Sequence, residues 1–349
     1  MSNFYSLSQM GWQSFFQQQL SLEEWESLSV ARVVSQQRTM LEVLTEQGQQ
    51  SLTLTPNMPV MTVGDWLLLE EVDGNVKFNR LLDRLSLFSR KAAGTKVATQ
   101  LIAANIDTVF IVCSLNQDFN LNRIERYLAL ANAAGVEPVI VLSKADCCED
   151  PEQYRRQVQA LDPMLMVFTV NGLDAASVKQ LQPWCHEGKT VALLGSSGVG
   201  KSTLVNTLTG ESKQQTQSVR GDDDKGRHTT TGRSLHMLLS GGLLLDTPGM
   251  RELQLASCEQ GIEETFSEIS ELSHQCKFAD CQHENEPGCA VRAAIERGDM
   301  DERRLTSYLK LMREQAHNEA TLAEKRAKDR NLSRLYRSVL SGKRQLKKE

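Results

Sequence analysis

Apolar residues along this chain change their period twice. Between residues 31 and 89, short stretches rich in Val, Leu and Thr are broken by Gly48, Pro56, Pro59, Gly64 and Gly74, the punctuation of a small all-β barrel. Within it, Val63 to Leu67 reads as a turn feeding a strand. Further on the apolar runs become continuous: Asp107 to Cys113, Val136 to Leu142, Val191 to Leu194 and Leu243 to Leu245 read as buried strands. Ile124 to Ala134 and Thr203 to Leu208 carry helical spacing instead. Strands alternating with helices predict a mostly parallel sheet covered on both faces, with a ligand at the carboxyl ends of its strands. Beyond Ser257 the pattern is helical and ends in a tail rich in Lys and Arg from Lys325 to Lys348. The expected organisation is a multidomain α/β chain: an arm over 1–30, a barrel over 31–90, a nucleotide-binding domain over 91–257 and a helical domain with a basic tail over 258–349. The arm reads as a short amphipathic helix without a legible role.

A length of 349 residues and 40% hydrophobic content support two or three cored domains. With 39 basic against 44 acidic residues the net charge is -5, so nucleic-acid contacts must come from local patches rather than the whole surface. No apolar run approaches the ~20 residues that span a bilayer, and no basic and apolar leader opens the chain. A cytoplasmic protein without a membrane partner is expected. Of eight cysteines, three sit near a histidine in metal-ligand spacing; Cys113, Cys147, Cys148, Cys185 and Cys258 are expected to be packing residues.

The chemistry lies in four short segments. Gly195-Ser196-Ser197-Gly198-Val199-Gly200-Lys201-Ser202 follows an apolar strand and opens a helix at Thr203. Its glycines let successive N–H groups point at phosphate oxygens, Lys201 reaches the β and γ phosphates, and Ser202 ligates magnesium. Asp246-Thr247-Pro248-Gly249 follows another strand and offers a carboxylate to the magnesium shell and a glycine N–H to the γ phosphate. Upstream, Ser143-Lys144-Ala145-Asp146 closes a third strand. Its aspartate can accept from the N1 and N2 hydrogens of guanine, where adenine offers an acceptor at N1, and the lysine stem can lie over the ring. Met250 stands where many such domains carry a water-positioning glutamine, so His228 is the candidate to orient water, its alternative being an exposed loop histidine. Thr230, within the Thr229 to Thr231 run, is the candidate to cap magnesium and sense the γ phosphate. The base segment precedes the phosphate loop, an inverted order that marks a circularly permuted nucleotide domain.

Cys276-x4-Cys281-x-His283-x5-Cys289 supplies three thiolates and one imidazole, the set for a closed tetrahedral site holding one Zn2+ per chain. The barrel suits oligonucleotide binding or a purely structural role. The basic tail suits phosphate backbones or is a solvated charged helix.

Taken together, the permuted order, the preceding barrel and the trailing cysteine-histidine cluster resemble the RsgA (YjeQ/YloQ) family of small-ribosomal-subunit maturation GTPases. The resemblance rests also on Gly64-Asp65-Trp66, Ala103 to Asp107 and Gly226 to Thr231. It implies an N-terminal OB-fold, a central permuted GTPase and a C-terminal zinc domain. It further implies a monomer that hydrolyses GTP to GDP, with magnesium, on the 30S subunit and its 16S rRNA during late assembly. The chain departs from the family in carrying Ser143 for the usual Asn and Phe168-Thr169 for the Ser-Ala element beside the base. It also lacks a strongly basic N-terminal extension. A divergent paralogue, an RNA-binding scaffold with a merely structural nucleotide, and an ATP-using enzyme are the competing expectations.

Overall fold

The computed structural model describes residues 5–72, 75–91, 99–116, 118–210, 233–246 and 258–319. Two short helices, α1 (Ser14–Gln17) and α2 (Leu22–Ser27), form the arm. Ser21 and Glu24 cap α2 reciprocally, each side chain accepting from the other's backbone N–H. The arm packs against Val30, Trp66 and Leu68, on the face of the barrel strands opposite Ala31, Leu67 and Leu69 of its core. Met10 and Phe16 are buried there, and the Trp12 ring meets Trp66 edge-on at 4.9 Å.

Five strands follow: β1 (Ser29–Gln36), β2 (Met40–Thr45), β3 (Gly48–Thr53), β4 (Trp66–Val72) and β5 (Asn75–Leu81). Antiparallel pairing links β3 to β2, β2 to β1, β1 to β4 and β4 to β5, while β3 lies beside β5, so the strands curl around one core. Leu41 and Val43 of β2 point inward at every second position, as a half-buried strand requires. The strands β6 (Leu87–Lys91) and β7 (Thr99–Ala104) pair as an antiparallel hairpin. The expected division at 90/91 falls within β6, because this pairing joins residues on both sides of it.

The central sheet is built from β8 (Thr108–Ser114), β9 (Glu137–Ser143), β10 (Met166–Val170), β11 (Thr190–Leu194), β12 (Arg233–Met237) and β13 (Leu243–Asp246). Its order is β10-β9-β8-β11-β13-β12, the first five parallel and β12 antiparallel at the side. Every residue of β8 is buried, which explains its unbroken apolar run. Helices α3 (Leu121–Ala133), α4 (Pro151–Gln159), α5 (Ala175–Val178) and α6 (Lys201–Thr209) cover the sheet. Ile111, Cys113, Ile140 and Leu142 pack with Ile124 and Leu128 of α3, while Phe110, Val112, Val139 and Val141 face Leu204 and Leu208 of α6. Ser35 of β1 pairs with Ser234 of β12, so barrel and central sheet form one continuous sheet.

The C-terminal region contains α7 (Glu259–Thr265), α8 (Ser267–Ser273), α9 (Ala290–Arg297) and α10 (Glu302–Glu319). A Cβ at Gly261 would stand 2.3 Å from Ala129 O, so only glycine lets α7 approach α3 this closely. No helix among the described residues is long and apolar enough to cross a membrane.

Candidate nucleotide site and metal cluster

The carboxyl ends of five parallel strands converge on one edge, and the phosphate loop runs from β11 into α6 along it. Gly195 has φ +149°, and a Cβ there would lie 2.4 Å from Val112 O on the neighbouring strand, so the loop's first turn requires glycine. Ser197 and Gly198 are exposed, whereas Val199 is buried beneath them. Lys201 is buried and its Nζ donates to Gly195 O at 2.7 Å and to Ser196 O. The ammonium thus bridges the carbonyls at the start of the loop, over the space where phosphates are expected. Ser202 and Thr203 sit half-buried on the first turn of α6.

The base segment is fastened to this loop. Ser143, last residue of β9, donates from Oγ to Val199 O at 2.6 Å, and Cys113 O lies 3.3 Å from the same hydroxyl. Lys144, in left-handed conformation at φ +59°, donates from Nζ to Gly198 O at 2.8 Å. Asp146 is exposed, and its Oδ2 accepts from the Cys147 thiol at 3.4 Å. That bond and the aspartate charge push the Cys147 thiol up, leaving it protonated near neutrality.

Phe168 and Thr169 lie inside β10, paired with Val141 and Leu142 of β9, and the loop that leaves the strand is Asn171-Gly172-Leu173. Gly172 O accepts from Thr207 Oγ1 of α6 at 2.6 Å, and Asn171 Oδ1 accepts from Leu173 N at 3.0 Å. Asp246 ends β13, which pairs with β11. His228, Thr230 and Gly249 lie outside the described residues. The structure adds a group that the sequence reading passed over: Arg123 of α3 donates from Nη1 to Ser196 Oγ in the loop at 2.8 Å. Nothing in the local pattern sets this arginine apart from its basic neighbours on α3.

The second constellation is compact. Donor atoms of Cys276, Cys281, His283 and Cys289 all lie within 4.8 Å of one another. His283 Nδ1 is 3.4 Å from Cys289 Sγ and 3.7 Å from Cys276 Sγ, and the two sulfurs are 4.0 Å apart. Zinc–ligand bonds of about 2.0 to 2.3 Å in a tetrahedron give ligand–ligand edges of roughly 3.5 to 3.8 Å, which these separations approach. Burial lowers the His283 pKa and keeps the imidazole neutral, the form that ligates metal. At Cys276 burial opposes ionisation, but backbone N–H groups of Ala290 and Val291 outweigh it and the thiol is pulled down.

Residues 81–256 match the family model described as RsgA GTPase. A protein named Small ribosomal subunit biogenesis GTPase RsgA 2, from Vibrio parahaemolyticus serotype O3:K6 (strain RIMD 2210633), is 60% identical over 338 residues, covering 97% of this chain and 94% of that relative. The chain belongs to the RsgA GTPase family. Within the family, Small ribosomal subunit biogenesis GTPase RsgA from Mesorhizobium japonicum (strain LMG 29417 / CECT 9101 / MAFF 303099) is 49% identical over 318 residues, 90% of this chain and 91% of that one. The crystal structure of YjeQ from Thermotoga maritima matches with a TM-score of 0.60 at 25% identity, covering 81% of this chain and 97% of that chain. YloQ, described as a circularly permuted GTPase, matches with a TM-score of 0.60 at 23% identity and speaks for the fold alone. A second model, ABC transporter, matches residues 178–345, a stretch that includes the phosphate loop shared widely among nucleotide-binding proteins. As in the RsgA family at large, the architecture is multidomain α/β, with a central GTPase sheet and a helical C-terminal region bearing the cysteine-histidine cluster.

Proposed function

We propose that this chain is a monomeric cytoplasmic GTPase that acts in late maturation of the 30S ribosomal subunit, binding its 16S rRNA and leaving on hydrolysis of GTP to GDP. The observation that carries the reading is the joint between base segment and phosphate loop. Ser143 and Lys144, which come first in the chain, donate to Val199 O and Gly198 O, so the segments read for purine and for phosphate adjoin despite their inverted order. The names of the relatives supply the ribosomal role.

In this reading Asp146 accepts from the guanine N1 and N2 hydrogens and Lys144 lies over the ring. The N–H groups from Gly195 through Thr203 cradle the phosphates, including those of Ser196, Ser197, Gly198, Val199 and Gly200. Lys201 exchanges its carbonyl partners for β and γ oxygens. Magnesium would be held by Ser202, Thr230 and Asp246, and when bound it would neutralise charge developing on the phosphates. His228 orients the attacking water in place of Met250, while Thr230 and the Gly249 N–H hold the γ phosphate until hydrolysis releases them. Cys276, Cys281, His283 and Cys289 would close around one Zn2+, whose role is to pin a region with little core of its own. The barrel of β1 to β5 serves as an OB-fold facing RNA, and the divisions near residues 30, 90 and 257 mark the domains.

The test is GTP turnover by the full chain with and without purified 30S subunits. Stimulation by the subunits is expected, and His228→Ala should bind GTP normally while losing about 10- to 1000-fold of the stimulated rate. Turnover near zero with and without subunits would favour a scaffold instead, and ATP competing as well as GTP would remove the guanine assignment.

A further inference from the structure

Ser196, second residue of the phosphate loop, is held from outside the loop. Its Oγ accepts from Arg123 Nη1 at 2.8 Å. Arg123 projects from a fixed first turn. Asn120 caps α3 by accepting from Arg123 N at 3.1 Å, and the adjoining Phe119 ring meets Tyr154 edge-on at 4.7 Å. Asp118 Oδ1 pairs with the guanidinium at 2.5 Å, while the buried Asp118 Oδ2 finds no hydrogen-bond partner among the described residues.

The position of Lys201 locates the γ side of this arrangement. Its ammonium, the group that reaches β and γ phosphates, donates to Gly195 O and Ser196 O, so Ser196 borders the part of the loop that a third phosphate would enter. The guanidinium lies one hydroxyl away from the end where GTP carries one phosphate more than GDP, and its pairing with Asp118 fixes its direction, so it acts by holding the Ser196 hydroxyl rather than by net charge. A loop end held from a helix also keeps its N–H groups aimed, and small misplacements of such groups cost large factors in rate.

Building on the nucleotide reading above, we propose that Arg123 is a positioning residue for GTP hydrolysis. Through the Ser196 hydroxyl it fixes the γ-phosphate end of the phosphate loop and makes that loop prefer GTP over GDP. Arg123 is distinct from the water-orienting and magnesium-holding groups, and it comes from the helix that also carries the contacts to the C-terminal region.

The test compares Arg123→Gln, Ser196→Ala and the double variant in the full-length protein with magnesium. Calorimetry measures GDP and a non-hydrolysable GTP analogue, and single-turnover assays with 30S subunits measure hydrolysis. Arg123→Gln should hold GDP within about threefold of the parent, which also shows that it is folded. Each single variant should weaken the GTP analogue about tenfold and slow hydrolysis about 10- to 100-fold. The double variant should be no worse than the worse single one, because both changes remove the same contact. Equal losses for GDP and the GTP analogue in Arg123→Gln, multiplying losses in the double variant, or unchanged rates would each overturn the proposal. A parent protein that fails to bind the GTP analogue would instead sink the nucleotide reading, and the proposal with it.

Discussion

Ser143 carries one proton, and it is committed to Val199 O at 2.6 Å. The hydroxyl therefore braces the phosphate loop and has no second proton to donate to the purine that the exposed Asp146 is proposed to read. Ser273 does comparable work at the metal cluster. Its Oγ donates to Ile269 O at 2.7 Å and lies 3.0 Å from His283 Nε2, so the imidazole gives its proton to Ser273 and turns Nδ1 toward the cysteine sulfurs. Ser273→Ala should cost about 10- to 100-fold in zinc affinity, the usual effect of removing an outer hydrogen bond to a ligating histidine. Competition against a chromophoric chelator measures it, and an unchanged affinity would remove Ser273 from the site. The four members of the cluster could be read from their spacing because each announces itself by type. Ser273 could not, since a serine ten residues before a histidine meets it only once α8 and the following loop have folded.

The arm shows the same divide between elements. α2 is held to β5 by Arg80 Nε–Glu24 Oε1 at 2.6 Å, with Arg80 Nη2 also donating to Gln19 O at 2.6 Å. The Arg80 bond first, then the Ser21 N–H, draws the Glu24 carboxyl from its ordinary 4.5 down to about 2. A folded pKa below the unfolded one means that this contribution is whole above pH 4.5 and fades as pH falls toward about 2. Glu24→Gln should therefore melt below the parent at neutral pH, with the difference shrinking to nothing across that acid window. Fluorescence of Trp12, Trp25 and Trp66 follows the transition, and a difference that persisted at the acid end would contradict the assignment. Strands β8, β9, β11 and β13 were legible to within a residue or so, because burial on both faces writes an unbroken apolar run. The arm's role was not, because Met10, Trp12 and Phe16 find their partner in Trp66, a residue far along the chain.

Across the whole molecule, α3 is the common member of two assemblies. Arg123 reaches the phosphate loop, while Glu125 and Arg126 reach α10. Glu125 is fully buried and takes Arg304 Nη1 at 2.8 Å and Arg303 Nη2 at 3.0 Å; Arg126 pairs with Glu314. Burial alone would lower the Arg304 pKa, but Glu268 and Glu125 outweigh it and hold the guanidinium charged over the Phe266 ring. Removing the shared carboxylate takes a fully buried partner from both the buried Arg304 and the part-exposed Arg303, a loss typically near 3 kcal/mol or more when a buried pair is broken. Arg304 keeps Glu268 and Thr265 O, and Arg303 keeps Asn122, so the lower end is expected: Glu125→Gln should destabilise the C-terminal region by roughly 3 kcal/mol. Urea unfolding reads this, while zinc content should remain stoichiometric because the four ligands come from residues 276 to 289 and none from α3. A loss under about 1 kcal/mol, the level of an exposed pair, would mean that Gly261 and the apolar contacts of α7 hold the region to α3 without help from the buried charges.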